Sequence, residues 1–345
     1  MKVAIDASNP AEVAAALLDD LRERLGSPDL AYAEPPRPLG RGTSSFIYAF
    51  RLTGTASDAW TVPLVVRILL VASWGPTLVR EDAIQRFVAA HGYPALVPLA
   101  LEATGDGAFG LPFMIVPRIM DGTLLQAVSR NPLAVPRLLG VMADAHVALH
   151  RIPIDRCPLP YDAPLVDRRI ADWRQRLTFD GADELHRGLA WLEDHAGSVR
   201  QEEPAICHND FHPLNILAGE GGHLIIIDWS EAALGDRHHD VARTAALFWF
   251  AQLAATSAAE RLLLLAARGF LRGRYLAAYR RHLPLDETRM RYWEAAHAFN
   301  GWLQLVELRQ RGPAAPELNL EMVQQFTPRI AEELRRHFWR CAEGP

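Results

Sequence analysis

The sequence predicts an α+β protein with two lobes, a small β-rich N-terminal lobe over residues 1–120 and a larger α-helical C-terminal lobe over residues 121–345. Up to about residue 118, short runs of β-branched and apolar residues dominate, as in strands. Beyond that point apolar residues mostly recur at helical spacing over long segments. The length of 345 residues also fits two packed lobes better than one small core.

The N-terminal lobe begins with an amphipathic helix, for which Ser8 or Asn9 is a suitable N-cap and Pro10 a suitable first-turn residue. One further helix is predicted from its apolar spacing, and four strands from their apolar, β-branched runs. In chain order these elements are Asn9–Leu25 (helix), Phe46–Leu52, Val62–Val71, Pro76–His91 (helix), Leu96–Leu101 and Phe113–Val116.

The C-terminal lobe is predicted to be mainly helical, with one short strand pair. The strands of this pair are Ala205–Cys207 and His223–Ile227, with a loop between them. Helix-period apolar positions predict six helices, over Pro132–His150, Ala182–Val199, His239–Phe250, Ala258–Arg281, Asp286–Arg309 and Glu317–Trp339.

Composition and charge exclude several classes of function. Half of the residues are hydrophobic and the net charge is −5, so the chain is globular and lacks the basic footprint of a nucleic-acid-binding protein. Three cysteines without a CxxC pair indicate a reducing compartment, and we expect a cytoplasmic protein without an export signal. The best membrane candidate, Thr244–Ala259, is shorter than the about 20 apolar residues of a spanning helix. We therefore expect no membrane, nucleic acid or obligate protein partner.

The segment from Ile206 to Leu217 carries the most specific pattern in the chain. It contains H-x-D-x-x-x-x-N after a short strand, and an apolar run that ends in Asp228 follows it. Phosphoryl transfer from a nucleotide requires a carboxylate that orients the acceptor hydroxyl and oxygen ligands that hold Mg²⁺ against the phosphates. Asp210 suits the first role, and Asn215 and Asp228 suit the second. Each residue alone is also common in turns or at strand ends, but the three in this order favour the catalytic interpretation.

Two histidines of the same segment permit a second interpretation. His208 and His212 are four residues apart, and both could bind zinc if the segment were helical. Pro213 and the flanking strands favour a loop instead, and no third ligand completes a zinc pattern. We therefore interpret His208 as a structural residue of the loop and leave His212 unassigned.

These residues resemble the aminoglycoside phosphotransferase and choline kinase superfamily, whose fold is similar to that of protein kinases. The resemblance is carried by residues 208–217, 227–229 and 235–240. It implies a protein-kinase-like fold, ATP or GTP as phosphoryl donor and Mg²⁺ as cofactor. The implied roles are catalytic base for Asp210, Mg²⁺ ligand for Asn215 and Asp228, and support of the catalytic loop for Asp240. Asp240 would also be explained as a first-turn acid that complements the helix dipole.

A glycine-containing segment in the N-terminal lobe could cover the phosphates of a nucleotide. It reads P-L-G-R-G-T-S-S-F over residues 38–46 and departs from G-x-G-x-x-G, because serine takes the last glycine position. Its N–H groups and hydroxyls suit phosphate oxygens, although an ordinary hairpin turn explains it equally well. A P-loop is excluded, because Lys2 is the only lysine. The candidate phosphate-binding residues are Gly40, Gly42, Thr43, Ser44 and Ser45.

An arginine takes the place where the kinase-like pattern has a cation for the α- and β-phosphates. Arg67 lies in the strand run L-V-V-R-I-L, and a guanidinium binds phosphate bidentately and keeps its charge. Glu81 on the following helix is the expected ion-pair partner, with Asp82 as the alternative. A surface arginine and first-turn helix charges would explain the same residues.

The run Phe113–Gly122 resembles the strand and hinge that connect the lobes of kinase-like proteins. We expect its backbone groups to contact the edge of a purine. A stripe of Met and Ile is also typical of an ordinary core. The candidate nucleotide contacts are Met114, Ile115 and Val116.

The motifs indicate a reaction type and leave the small-molecule hydroxyl acceptor open. Residues 229–345 contain 16 Arg, no Lys and 13 Asp plus Glu, a balance that suits a neutral polyol such as a macrolide better than a polycationic aminoglycoside. With such an acceptor the protein would confer antibiotic resistance. Choline or ethanolamine is the alternative, for which Trp249, Trp293 and Trp302 could form a cation–π cage, although aromatics at helical spacing usually belong to a core.

Two further alternatives are a protein kinase and a non-catalytic nucleotide-binding module. Only six residues separate Asp228 from Gly235, which leaves no room for a long activation loop and disfavours protein substrates. The complete set of Asp210, Asn215 and Asp228 disfavours the non-catalytic module, whereas the missing third glycine and Arg67 keep it open.

Overall fold

The computed structural model describes residues 5–41, 45–54, 57–120, 122–179, 181–201, 203–218, 223–251, 257–311 and 328–344. The predicted α+β class is confirmed, because a five-stranded sheet forms the N-terminal part and helices dominate the rest. The strands are β1 (Ala31–Arg41), β2 (Ser45–Thr53), β3 (Leu64–Leu69), β4 (Ala100–Glu102), β5 (Phe113–Pro117), β6 (Pro204–Cys207), β7 (Ile216–Ala218), β8 (Leu224–Ile226) and β9 (Ala233–Asp236). The helices are α1 (Pro10–Leu25), α2 (Gly75–Ala90), α3 (Leu124–Arg130), α4 (Val135–His150), α5 (Leu165–Arg176), α6 (Asp183–His195), α7 (Gly197–Arg200), α8 (Arg237–Phe250), α9 (Ala258–Arg280), α10 (Glu287–Arg311) and α11 (Pro328–Glu343).

The described residues belong to two compact units. The first contains the residues up to Gly122 together with Leu217–Ser230. The second contains the described residues of 123–216 and 231–311 together with those from residue 328 onwards.

The sheet of the first unit has the order β1-β2-β3-β5-β4, and every neighbouring pair is antiparallel. Strand β1 is missing from the sequence prediction because Pro35, Pro36 and Pro38 interrupt its apolar pattern. Proline has no N–H to donate and is tolerated at a sheet edge. β1 is such an edge, and its register against β2 shifts three times. The predicted strand Leu96–Leu101 is wrong in extent, since only Ala100–Glu102 joins the sheet.

Helix α1 closes one face of this sheet. It begins after Asn9, whose side-chain oxygen accepts the N–H of Ala11 at 3.0 Å, so the predicted N-cap is confirmed. Val13, Leu17 and Leu21 recur every four residues and are completely buried. They pack in one core with side chains from β2, β3 and β5.

The returning segment Leu217–Ser230 is attached to the first unit beside α2. Strands β7 and β8 form a two-stranded sheet, and the N–H of Ile226 donates to the carbonyl oxygen of Pro94 at 2.7 Å. This contact fixes the chain two residues before Asp228.

The second unit is built from helices and one short sheet. Helix α10 packs against α8 and α11, and α4 packs against α9. The predicted pairing of the strands at 205–207 and 223–227 is wrong: β6 pairs with β9, with Cys207 opposite Ala233, and β8 pairs with β7. Strand β7 has only three residues, too few to show an alternating pattern, so the sequence does not reveal it. Strands that are neighbours in the chain usually pair, and the prediction therefore pairs the two strands that the sequence does reveal.

Two helices of the second unit are absent from the sequence prediction. Helix α3 has only seven residues. Helix α5 is rich in charge and buries only four of its side chains, Leu165, Val166, Ile170 and Trp173, so its apolar stripe is narrow. The predicted helix Glu317–Trp339 is observed from Pro328, and its residues 317–327 lie outside the described residues.

One described helical segment, Pro132–His150, is long and apolar enough to cross a membrane by length and composition. Its Met142, Ala143 and Leu149 are completely buried within the protein. Of the segment Thr244–Ala259, residues 244–250 belong to α8, α9 begins at Ala258, and residues 252–256 lie outside the described residues.

Candidate functional site

Asp210 lies in the loop between β6 and β7 of the second unit. Its carboxylate accepts a hydrogen bond from Nε2 of His212 at 3.2 Å, and Nη2 of Arg243 lies 3.5 Å from its other oxygen. Nδ1 of His212 accepts the N–H of Leu214 at 3.3 Å, so Nε2 carries the proton. Burial acts to raise the pKa of Asp210, but the hydrogen bond from His212 and the charge of Arg243 outweigh it, and this pKa lies below its usual value. Asp210 is therefore an anion at neutral pH.

Asn215 orients the same carboxylate from the end of the loop. Its Nδ2 donates to the backbone oxygen and to Oδ2 of Asp210, both at 3.0 Å. The amide nitrogen is thereby committed to Asp210, and the amide oxygen remains available as a ligand for a cation.

Asp240 holds the beginning of the loop from inside the second unit. It lies in the first turn of α8, is completely buried, and accepts the N–H groups of His208 at 2.6 Å and Asn209 at 2.9 Å. Nε2 atoms of His146 and His150, both on α4, lie 3.0 and 3.3 Å from its Oδ2. Burial acts to raise the pKa of Asp240, but the two histidines outweigh it and keep this pKa well below its usual value.

The buried side chain of His208 also faces the loop. Its Nδ1 lies 3.3 Å from the backbone N–H of Asp210, and its ring contacts Phe211 at 5.8 Å between centroids. The backbone oxygen of Phe211 accepts the hydroxyl of Thr244 at 2.8 Å. His208 and Asp240 thus both contact the loop that carries Asp210.

Asp228 lies in the first unit, two residues beyond β8. Its backbone has a φ of 62°, and Oδ1 accepts the hydroxyl of Ser230 at 2.9 Å. The N–H of the next residue, Trp229, donates to Oε1 of Glu81 at 3.3 Å. Asp228 and Glu81 are therefore tied together within this unit.

The predicted ion pair between Arg67 and Glu81 is present and bidentate. Nη1 and Nη2 of Arg67 donate to the two carboxylate oxygens of Glu81, each at 2.9 Å. Burial acts to lower the pKa of Arg67, but the negative charges of Glu81 and Asp228 raise it above its usual value. Each terminal nitrogen keeps a second N–H that this pair does not use.

The remaining candidate nucleotide contacts lie on strands β1, β2 and β5 or outside the described residues. Gly40 lies in β1 opposite Ile47, and the buried Ser45 begins β2. Gly42, Thr43 and Ser44 lie outside the described residues. On β5, Met114 packs with Leu69, Leu78 and Val116, whereas Ile115 enters the main sheet core on the opposite face. Alternation along a strand therefore separates the side chain of Ile115 from those of Met114 and Val116.

Four residues around Asp210 and Asp240 are missing from the sequence prediction. Arg243 lies three residues after Asp240, so helical spacing could have identified it. For His212 the spacing from His208 suggests only a zinc ligand, and no pattern in the sequence indicates a contact with Asp210. His146 and His150 show helical spacing to each other, but no local pattern connects them with a residue 90 positions away.

Comparison with known proteins gives one family. The model of the phosphotransferase enzyme family matches residues 37–276, which is 240 of the 345 residues. No curated protein sequence matches the chain at a significant level.

Several solved structures share the fold at low sequence identity. A thermostable mutant of aminoglycoside phosphotransferase APH(4)-Ia, in its apo form, is 18% identical with a TM-score of 0.63, over 94% of this chain and 98% of that one. The amicoumacin kinase hAmiN, in complex with AMP-PNP, Ca²⁺ and Ami, is 12% identical with a TM-score of 0.57, over 87% and 88%. A choline/ethanolamine kinase family protein from Mesorhizobium loti is 17% identical with a TM-score of 0.56, over 94% and 99%. The predicted resemblance and the kinase-like fold are thereby confirmed.

Proposed function

The chain belongs to the phosphotransferase enzyme family, and we propose that it transfers the terminal phosphoryl group of ATP or GTP to a hydroxyl of a small molecule. The observation that carries this proposal is the anionic Asp210, oriented by Asn215 and His212 in a loop that Asp240 anchors. The proposed compartment is the cytoplasm, which supplies nucleotide and Mg²⁺.

Asp210 is the proposed catalytic base. A carboxylate whose pKa lies below its usual value is ionised when the acceptor binds, so it can accept the hydroxyl hydrogen bond and orient the oxygen towards the phosphorus. The two hydrogen bonds from Asn215 and His212 restrict the rotation of the carboxylate. Positioning of this kind is the main contribution a protein can make to phosphoryl transfer.

Asn215 and Asp228 are the proposed Mg²⁺ ligands. The donor set fits a hard cation, because the amide nitrogen of Asn215 is occupied by Asp210 and leaves the oxygen, and Asp228 is a carboxylate. When bound, Mg²⁺ supplies charge neutralisation for the phosphate oxygens. Among the side chains of the first unit, Arg67 is proposed to bind phosphate, and Glu81 to orient Arg67.

The surroundings of Asp210 support an acceptor without multiple positive charges. In the described second unit, the charged side chain in contact with Asp210 is a cation, Arg243. Burial and the neighbouring Arg168 and Arg243 lower the pKa of Arg169, although Glu231 and Asp172 oppose them. Arg243 beside Asp210 disfavours a second cation at the same position, and this favours an acceptor without multiple positive charges.

Two of the three tryptophans of the predicted choline cage are packed in the core of the second unit. Trp293 is completely buried and donates its Nε1–H to Asp236 at 2.8 Å, and Trp302 packs against Phe299 and Phe338. These two residues belong to the core, so the cage lacks support and we favour a neutral or anionic acceptor.

The test is phosphate transfer by the purified chain with ATP or GTP, Mg²⁺ and a panel of macrolides, aminoglycosides, choline, homoserine and sugars. We expect turnover on one acceptor class, and Asp210→Asn should lower it about 10²- to 10⁴-fold. Asp183→Asn, an exposed first-turn aspartate of α6, is the matched control and should leave turnover unchanged.

Nucleotide binding is measured alongside by calorimetry. Asp210→Asn should bind nucleotide as the parent chain does, because Arg67 and Glu81 are intact. Binding without turnover on any acceptor would favour the non-catalytic alternative, and full activity of Asp210→Asn would refute the assigned base.

A further inference from the structure

A second cluster of ionisable side chains lies in the C-terminal helices, away from the Asp210 loop in the chain. It consists of Glu294 on α10 and of His337 and Cys341 on α11, and each residue is at least nine-tenths buried. One potential ligand atom from each lies within 4.8 Å of the other two. The spacing of four residues places His337 and Cys341 on one face of α11.

The separation of the two α11 side chains fits a tetrahedral metal site. A Zn–S distance of about 2.3 Å and a Zn–N distance of about 2.0–2.1 Å, at a tetrahedral angle, separate sulfur and nitrogen by about 3.6 Å. Sγ of Cys341 lies 3.6 Å from Nε2 of His337. A thiol–imidazole hydrogen bond has a similar length, so this distance alone does not require a metal. Support for a metal site therefore also depends on Glu294.

Glu294 supplies an oxygen ligand and is held in place from its other side. Nη2 of Arg272, on α9, contacts its Oε1, as carboxylate ligands are commonly held by an outer partner.

The protonation states are compatible with metal binding. Burial lowers the pKa of His337 to about 4, so its imidazole is neutral and can be a ligand at neutral pH. Burial raises the pKa of Cys341 to about 12 in the absence of a metal. Binding of a divalent cation would therefore release the thiol proton to solvent, with the thiolate sulfur as the new ligand.

We propose that Glu294, His337 and Cys341 form a zinc site that links α10 to α11. One sulfur, one nitrogen and one oxygen ligand suit Zn²⁺ better than Mg²⁺ or Ca²⁺, which take oxygen ligands. Water takes the fourth position. The site stabilises the C-terminal helix and has no part in phosphoryl transfer.

The test is metal binding by the full chain after chelation and dialysis. Titration with Zn²⁺ against a chromophoric chelator should give about one tight equivalent per chain. With Co²⁺ as a spectroscopic substitute, the parent chain should show the intense visible bands of a tetrahedral site and a thiolate-to-cobalt charge-transfer band. Zn²⁺ should also raise the thermal unfolding midpoint, because it binds the folded state.

Matched variants locate the site. Cys341→Ser should lose the charge-transfer band and at least tenfold in Zn²⁺ affinity, whereas Cys157→Ser, which changes a thiol outside the cluster, should bind as the parent chain does. Asp210→Asn should also bind Zn²⁺ normally, so the site can fail or hold independently of the proposed function. If Cys341→Ser does not fold, the Co²⁺ spectra of the parent and Cys157→Ser chains still decide. The absence of a thiolate band in both, or equal Zn²⁺ binding by Cys341→Ser, would overturn the proposal.

Discussion

Replacement of Asp240 by asparagine tests whether this residue holds the catalytic loop or only complements the dipole of α8. Asp240 is completely buried, and its two oxygens accept the N–H groups of His208 and Asn209 at 2.6 and 2.9 Å. Asparagine has the same shape but only one acceptor oxygen, and its amide group would face a second donor.

The cost follows from these contacts. A hydrogen bond to a charged group contributes about 1.5–3 kcal/mol, and a buried N–H without a partner costs about 1–3 kcal/mol. One such bond is lost and one such N–H is created, so Asp240→Asn should lower the free energy of unfolding by about 2.5–6 kcal/mol. A dipole contribution alone is worth about 0.3–1 kcal/mol at an exposed site.

Urea unfolding at neutral pH measures the difference, with Asp183→Asn as the control. Asp183 also lies in the first turn of a helix but is exposed, so its replacement removes the dipole contribution without touching a loop. Turnover should fall with Asp240→Asn because the loop carries Asp210. A loss of stability no greater than that of the control would refute the reasoning.

Three further predictions concern the ion pair, a close approach and pH. Arg67→Met leaves the buried Glu81 carboxylate without its bidentate partner, and Glu81→Leu does the same to the partly buried guanidinium of Arg67. Each single variant should therefore cost about 3–5 kcal/mol of unfolding free energy, whereas the double variant should cost much less than the sum. Additive losses in urea unfolding would contradict this. Gly75→Ala should lower the free energy of unfolding by about 1–3 kcal/mol or more, because a Cβ there would lie 1.8 Å from a backbone oxygen. Gly140, in the middle of α4, has open space around it, so Gly140→Ala should instead raise the free energy of unfolding by about 1 kcal/mol. Equal changes in melting temperature would exclude the steric explanation. Burial lowers the pKa of His297 to about 3, so below about pH 6.5 the unfolded chain binds a proton at this imidazole that the folded chain does not bind. The free energy of unfolding should therefore fall by about 1.4 kcal/mol per pH unit towards pH 3. Urea unfolding of His297→Gln over the same pH range should lack this contribution, and an unchanged slope would show that the imidazole is protonated when folded.

The parts of the site that could be predicted are those that lie close together in the chain. Asp210 and Asn215 are five residues apart in one loop, so the motif alone shows that they are neighbours. Arg67 and Glu81 are on consecutive elements, and a kinase-like pattern makes their pairing predictable. The two histidines that contact Asp240, His146 and His150 on α4, lie much farther away in the chain, and no spacing in the sequence connects them with the loop.

The errors in the fold have a similar origin. The sequence predicts that the strand at 223–227 pairs with the strand at 205–207, whereas the true partner of β6 is β9. The latter reads A-L-G-D and is too short and too polar to be recognised as a strand. Strand β1 is hidden by its prolines, which only an edge position makes acceptable. Sequence patterns report burial, and pairing depends on the tertiary structure.

A strained backbone conformation occurs both beside the proposed catalytic base and at a proposed Mg²⁺ ligand. Among the described residues other than glycine, only Arg156, Asn209 and Asp228 have a positive φ. Two of these three are at proposed functional positions, one directly before the proposed base and one at a proposed Mg²⁺ ligand. Asn and Asp adopt this conformation at the lowest cost of the non-glycine residues, yet it persists only where the surroundings fix it.

Both strained residues are fixed by hydrogen bonds on several sides. Asn209 donates its N–H to Asp240 and its amide to the backbone oxygen of Glu231 at 2.9 Å, and its amide oxygen accepts from His239 at 2.9 Å. Asp228 is held by Ser230 and by the N–H that its neighbour donates to Glu81. The backbone beside each proposed functional carboxylate is therefore fixed before any ligand binds, and substitutions at these supporting contacts should lower kcat more than they raise KM for nucleotide.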